Sequence, residues 1–427
     1  MSVLLVIAGV LVLLLLGVPV FFALILPSLV YFAVQGPEEL TAVIPTTAGG
    51  LNSFPLVAVP LFIMMGALAN ETGVTERLFT AADKFLGHLR GSLGYVNVTV
   101  SLGFSWMSGS ALADSAALGR IEVPAMLKRG YPSSFATGIT AASGIVGPVM
   151  PPSIPAVLYA VAAGVSLGGL LIAGILPALL LVLALMLSVF IWARDKHDLV
   201  SPKATWSERA RAAAGAVPAL VAPVLLLGGI LVGVFTPTEA AAVAVGYLVI
   251  LGLVSRVLTR AVLGRVLATT ARNVGAILVL VAAASLFGRV MTLEQVPQAM
   301  TDTLTGLSEN PAVFLGMTLV ILLIAGMLLE PASALLIFAP VLLPTAQELG
   351  IDPLHFGSVV ILSVLLGLVT PPVGLICYVL SDVTDVSVSD IFRGVAPFYV
   401  PLVACLLLVT FVPSITLALP TAFGFTG

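Results

Sequence analysis

Ser143-Gly-Ile-Val-Gly-Pro-Val-Met-Pro-Pro-Ser-Ile-Pro155 sets four prolines within eight residues inside a long apolar segment. Each proline removes a backbone donor and clashes with the preceding turn, so no unbroken helix runs through this stretch. Bare backbone cannot face lipid, so a helix broken at membrane depth must be buried in protein or line a polar cavity. The device returns as Ser363-Val-Leu-Leu-Gly-Leu-Val-Thr-Pro-Pro-Val-Gly374. Two interrupted helices at corresponding places in two halves of a chain point to the binding site of a transporter.

Composition sets the surroundings of these breaks. Of 427 residues, 60% are hydrophobic and only 9% charged, against about 25% charged in soluble proteins. The chain is an integral membrane protein. Its apolar runs are long and almost free of charge, which predicts helices rather than a barrel. The first run, Val3 to Val34, lacks a basic leader and is too long for a signal peptide; it reads as the first membrane helix. The net charge of −3 resides in loops and gives no sign of a nucleic-acid partner. Cys377 and Cys405 lie in apolar stretches as small core residues, without metal or disulfide spacing.

Outward from the first break, helices are expected at about 3–34, 54–70, 134–164 (broken), 168–194, 215–234, 238–258, 270–290, 355–380 (broken) and 391–415. Two further apolar stretches, about 91–127 and 312–343, are too long for one crossing. Each has polar or Gly/Pro residues at its centre: Ser105-Trp-Met-Ser-Gly-Ser-Ala-Leu-Ala-Asp114 and Gly326-Met-Leu-Leu-Glu-Pro-Ala-Ser333. Both read as re-entrant hairpins, tolerated only inside a polar cavity. Segments 71–90, 120–133, 194–211 and 256–272, together with Arg393, hold 16 of the 17 basic residues, and this threading puts them on one side. That side is cytoplasmic, with the N-terminus cytoplasmic and the C-terminus periplasmic. Arg289, near the outer end of its helix, is the exception and reads as snorkelling or coupling.

A shift of 220 residues (Gly147 to Gly367) also aligns Pro124 with Pro344, Gly130 with Gly350, Pro151 and Pro152 with Pro371 and Pro372, Gly174 with Gly394 and Pro177 with Pro397. Glycines and prolines in register mean more than apolar matches, because each fixes a backbone event. With hairpins entering from opposite faces, the chain reads as an inverted-topology repeat, 1–212 and 213–427, with solute and ion at the repeat interface.

Nucleotide-driven work is excluded, since no G-x-x-x-x-G-K-[ST] loop occurs, and no H-E-x-x-H metal motif is present. A hard cation wants several oxygens, which unwound backbone and hydroxyls supply. Ser105, Ser108 and Ser110 at the first tip could face the break at Gly147–Ser153. The second tip, Gly326 to Glu330, could face Gly367, Thr370 and Val373. Serines and glycines also serve close helix packing, and for any single serine that reading weighs as much. Asp114, Glu239 and Glu330 are acids in apolar surroundings. Asp114 could balance an ion or cap a half-helix, Glu330 could serve the helix behind Pro331, and Glu239 after Thr236-Pro-Thr reads best as a helix cap. Solute contacts are expected from Ser108, Ser110, Asp114, Ser153, Pro371 and Pro372, with half-helix N-termini offering positive ends to an anion.

Read end to end, the chain resembles the large membrane subunit of a tripartite ATP-independent periplasmic (TRAP) transporter. The resemblance is carried by Ser108-Gly-Ser-Ala-Leu-Ala-Asp114, Gly147-Pro-Val-Met-Pro-Pro-Ser153, Thr236-Pro-Thr-Glu-Ala240, Glu330-Pro331 and Thr370-Pro-Pro-Val-Gly374 in order. It implies an elevator-type fold and sodium-driven uptake of small organic acid anions, such as C4-dicarboxylates or sialic acid. It also implies a periplasmic substrate-binding protein, a separate small four-helix membrane subunit and the inner membrane. Two or more Na+ ions are implied. One would sit at Ser105, Ser108, Gly147, Met150 and Pro152, mostly on backbone oxygens; another would sit near Gly326 and Glu330 with Gly367, Thr370 and Val373. The rivals are a self-sufficient sodium/dicarboxylate symporter and, more remotely, an intramembrane enzyme built around Asp114 and Glu330.

Overall fold

The computed structural model describes residues 3–196 and 198–425, and every regular element among them is a helix. Helix starts follow local chemistry. Thr205 and Thr236 each close a capping box with the glutamate three residues on, and Ser166, Thr259 and Ser387 cap their helices by accepting a backbone N–H.

Both stretches expected to form hairpins fold as helix pairs, and one arm, Pro311–Leu328, is long and apolar enough to cross a membrane. Ser92–Ser108 and Ala111–Lys128 pack together around Gly109 and Ser110; Pro311–Leu328 and Pro331–Glu348 do so around Leu329 and Glu330. Gly109 takes a left-handed φ of 65° to make the first turn, a conformation glycine adopts without steric cost. The helix starting points keep the spacing seen in the sequence: Ala111 to Pro331 and Ser133 to Pro353 are each 220 residues apart. Gly130 and Gly350, with φ of 80° and 72°, end the hairpins alike.

Both broken helices break where the prolines are. The first runs Ser133–Ser143 and Val146–Val149, opens over residues 150–153 and resumes as Ile154–Ala163, bent by 45°. The second runs Pro353–Gly367 and resumes as Leu375–Thr384. Pro151–Pro152 and Pro371–Pro372 are both cis. The helices that close each half, Ile175–Ala193 and Val388–Phe411, pack on each other. Ser133–Ser143 crosses Val388–Phe411 at bare backbone: a methyl on Gly138 would run into the Gly394 carbonyl, and one on Gly394 into that of Ser134.

Around these elements stand Val3–Leu15, Val20–Gln35, Val43–Leu51, Ala58–Glu71, Trp206–Leu231, Pro237–Val254 and the long Arg260–Leu293. Among the described residues seven helices are long and apolar enough to cross a membrane, eight with the bent pair.

One expectation is corrected. The run 3–34 is not one helix, because Gly17 (φ 75°) and Pro19 end the first segment and start a second. A Cβ on Gly9 would lie 3.3 Å from Pro27 Cγ. In a continuous helix those residues would be about 27 Å apart, so the two helices fold back on each other. The first hairpin's second arm stays helical to Lys128, close to its expected end at about 127. Its end is tied down by Arg129, whose guanidinium donates to both Asp83 oxygens (2.9 and 3.1 Å) and to Ser201 (2.6 Å).

Candidate functional site

The first tip lies directly on the first break. The Ile154 N–H donates to the Gly109 carbonyl at 3.4 Å, and a Cβ on Gly109 would strike the Pro152 carbonyl. Helix Ala58–Glu71 presses on the other side, where a Cβ on Gly66 would lie 3.1 Å from Ser108 Cα. Ser105, Met150, Pro152 and Ser153 are buried here. Ser105 donates to the Leu102 carbonyl at 2.6 Å. Ser153 donates to the Pro148 carbonyl and accepts from Ala156 N–H at 3.1 Å, capping the second half-helix.

Asp114 is 2% exposed, points at Gly147 and has no hydrogen bond to either carboxyl oxygen. It does not cap its helix; Ser110 does, accepting from Ala113 N–H at 3.5 Å. The second tip meets the second break through glycines, since a Cβ on Gly367 would lie 2.6 Å from Gly326 Cα. Thr370 is turned back to the Leu366 carbonyl at 2.8 Å. Pro371 and Pro372 are exposed, and Val373 is half-buried.

Two adjoining cavities lie between the tips. One of about 110 Å³ is lined by Gly109 to Leu112 of the first tip, Pro148 and Ile154 of the first break, and Glu330 to Ala332 of the second tip. The other, about 450 Å³, adds Ser108 and reaches Asn70, Thr269 and Asn273 on the surrounding helices. Ser108, Ser110 and Glu330, all expected site residues, therefore meet in one space. Glu330 starts helix Pro331–Glu348 without a side-chain cap bond and is among the residues that line both cavities. Asp114, Ser153, Pro371 and Pro372 line neither cavity. The last two stand in register with Pro151 and Pro152 of the first break, which are buried, whereas Pro371 and Pro372 are exposed.

Glu239 lies outside the site, accepting from the Thr236 N–H and hydroxyl at 2.8 Å. Arg289 is exposed on helix Arg260–Leu293. Asn70, Thr269 and Asn273 escaped sequence reading because each is a single polar residue near a charged helix end.

A family model described as "Tripartite ATP-independent periplasmic transporter, DctM component" matches residues 7–415. The chain is 40% identical over 408 residues to the sialic acid TRAP transporter large permease protein SiaM of Vibrio cholerae, covering 95% of this chain and 96% of that one. It is 39% identical over 374 residues to the C4-dicarboxylate TRAP transporter large permease protein DctM of Pseudomonas aeruginosa, covering 87% and 88%. Its fold matches the Alcanivorax borkumensis YdaH transporter with a TM-score of 0.64 at 17% identity, over 98% of both chains.

Proposed function

The chain belongs to the DctM family, the large membrane permeases of tripartite ATP-independent periplasmic transporters, and on that footing we propose that it is the solute-carrying subunit of a sodium-driven importer of small organic acid anions. It is a transport protein and not an enzyme. The observation that carries the solute reading is the cavity shared by both hairpin tips. Helices Ala111–Lys128 and Pro331–Glu348 both begin there, so two positive helix ends converge on one space without a basic side chain.

Sodium is the cation of this reading. At the first tip Ser105, Ser108, Gly147, Met150 and Pro152 supply mainly backbone oxygens, and the unpartnered Asp114 carboxyl balances the ion's charge. At the second, Glu330 does so beside Gly326, Gly367, Thr370 and Val373. The two repeats, 1–212 and 213–427, run inverted across the bacterial inner membrane, and each hairpin re-enters from its own side. Hairpins, broken helices and closing helices form the moving body of an elevator; the remaining helices are the scaffold. Asn70, Thr269 and Asn273 lie close to the basic-side helix ends, where Arg265 pairs with Glu71 at 3.2 Å. The tips sit beside these ends, which corresponds to an inward-facing arrangement.

In this reading the N-terminal end, folded back at Gly17, lies with Gln35 on the outer face, and the C-terminus is periplasmic. A small four-helix membrane subunit braces the scaffold, and a periplasmic binding protein delivers the solute.

The test is uptake of labelled succinate and sialic acid by proteoliposomes holding this chain and its small subunit. It is run with and without the binding protein and an inward sodium gradient. Uptake is expected only with both. Sodium-driven uptake without the binding protein would instead establish a self-sufficient symporter.

A further inference from the structure

Beyond the tip, the first hairpin buries a polar cluster that none of the roles above uses. Glu122, on the second arm, is 1% exposed. Its Oε2 accepts from Asn97 Nδ2 at 2.5 Å, and its Oε1 has no hydrogen-bond partner. Asn97 also donates to the Thr140 hydroxyl at 2.7 Å and accepts from the Ser143 hydroxyl at 2.8 Å, while Ser101 donates to Ser143 at 2.9 Å. No ion pair among the described residues includes Glu122. A carboxylate buried without a counter-charge costs several kcal/mol, so this acid holds either a proton or a metal cation.

The oxygens around it favour the proton. The Thr140 hydroxyl is committed to the Ala136 carbonyl at 2.8 Å, and the Ser101, Ser143 and Asn97 groups are committed to one another. Within this cluster only Glu122 Oε1 is left without a partner. A hard metal cation needs several oxygens at once to replace its hydration, whereas a proton needs a single one.

The other half of the chain shows what the fold alone requires. Two hundred and twenty residues on, Asn97, Ser101, Glu122 and Thr140 correspond to Met317, Ile321, Leu342 and Val360, and only Ser143 keeps its hydroxyl, as Ser363. Hydrocarbon fills the equivalent positions, so packing a hairpin on a broken helix needs no buried acid.

The geometry points to Glu122 as a proton-binding site of the first hairpin, neutral while the hairpin lies closed on helix Ser133–Ser143. Asn97 orients the carboxyl, and Thr140 and Ser143 tie Asn97 to the broken helix. Loss of the proton leaves an unpaired negative charge between the two elements that enclose the first tip. Their closed packing is then disfavoured, and transport falls from a position the solute does not touch.

The helices packed on this arm are Ser92–Ser108, Ser133–Ser143, Val146–Val149 and Leu375–Thr384. Their titratable groups are Tyr95, Cys377, Tyr378 and Asp382. Tyr378 and Asp382 are exposed, as are Arg120 and Lys128 on the arm itself. The Cys377 thiol is turned to the Val369 carbonyl, and Tyr95 makes no bond to Glu122. Asp114 lies about 12 Å away along the helix axis.

Infrared difference spectra of the purified full chain between neutral and alkaline pH test the site, with the proton as the only ligand. Wild type is expected to show a protonated-carboxyl component that disappears on alkalinisation, is missing from Glu122→Gln and persists in Asp114→Asn, which removes the other buried carboxyl of this hairpin. Asn97→Leu, which removes the only bonded partner, should keep that component and move its frequency; this variant decides the matter if Glu122→Gln does not fold. In vesicles, sodium-driven uptake should fall on the alkaline side in wild type and lose that fall in Glu122→Gln. Identical spectra, or the same alkaline fall in both proteins, would overturn the assignment. The spectra need neither solute nor sodium, so the site stands or falls separately from the importer reading.

Discussion

The two hairpins share a backbone plan and differ in chemistry. Around the first, Asp114 and Glu122 are buried, and Met150, Pro151, Pro152 and Ser153 of its break are all buried too. Around the second, the counterparts of those acids are Ala334 and Leu342, and Pro371 and Pro372 are exposed. A shared spacing of glycines and prolines therefore dictates where the chain bends and not what it binds. The first half is a closed polar clasp, and the second is an apolar clasp with one acid, Glu330, set at the cavity.

The largest expected effect lies where the second clasp closes on bare backbone. Gly367→Ala drives a methyl into Gly326, whose backbone has nowhere to go, and should cost at least the upper end of the roughly 1–3 kcal/mol of overpacking. Thermal unfolding of the purified chain would report it. Its counterpart Gly147→Ala meets only the Asp114 carboxyl, so adding Asp114→Ala should restore much of the lost stability. If no second substitution helps Gly147→Ala, the two clasps are more alike than their contacts indicate.

Next comes charge. Asp114→Asn removes an acid that caps nothing and lines no cavity, so its expected signature is selective. The sodium concentration for half-maximal uptake should rise about tenfold or more, equivalent to about 1.4 kcal/mol, while the solute KM at saturating sodium moves little. A change confined to the solute KM would put Asp114 in the solute site instead.

The caps at the two tips should then separate. Ser110→Ala removes a bonded N-cap and should cost about 1 kcal/mol. Glu330→Gln, at the matching position without a cap bond, should leave the unfolding temperature unchanged and alter uptake. Equal destabilisation by both would contradict this division of roles. The smallest effect belongs to Arg129, whose partly exposed pair with Asp83 has no counterpart at Leu349 and Thr303. Arg129→Gln should lower stability by at most about 1 kcal/mol.

Much of this architecture was legible in the residues. Four prolines around Met150, and the Gly147/Gly367 and Gly130/Gly350 pairs, determine backbone events that hold in any packing, and both breaks and both hairpins lie where they predict. The bend at Gly17 and Pro19 was not legible, because one glycine and one proline in an unbroken apolar run are also compatible with a kinked single helix. Glu122 was hidden by its neighbours: it stands between Arg120 and Lys128 in a basic stretch of sequence, and only the packing of the arm shows that its side chain turns inside. Pro371 and Pro372 match Pro151 and Pro152 in register and differ from them in exposure, because register transfers bends and does not transfer burial.

The crossing of Gly138 with Gly394 also sets the order in which this protein can be made. The helix that begins the first broken pair rests on a helix whose contact glycine is translated 256 residues later. A nascent first half, however well inserted, waits in the membrane with its glycine groove empty until helix Val388–Phe411 leaves the ribosome. Quality control that inspects unpaired membrane helices thus has a long window on this chain. Truncations just before Val388 should be caught by membrane proteases rather than accumulate as half-transporters, and helix Val388–Phe411 acts as the latch on the first half.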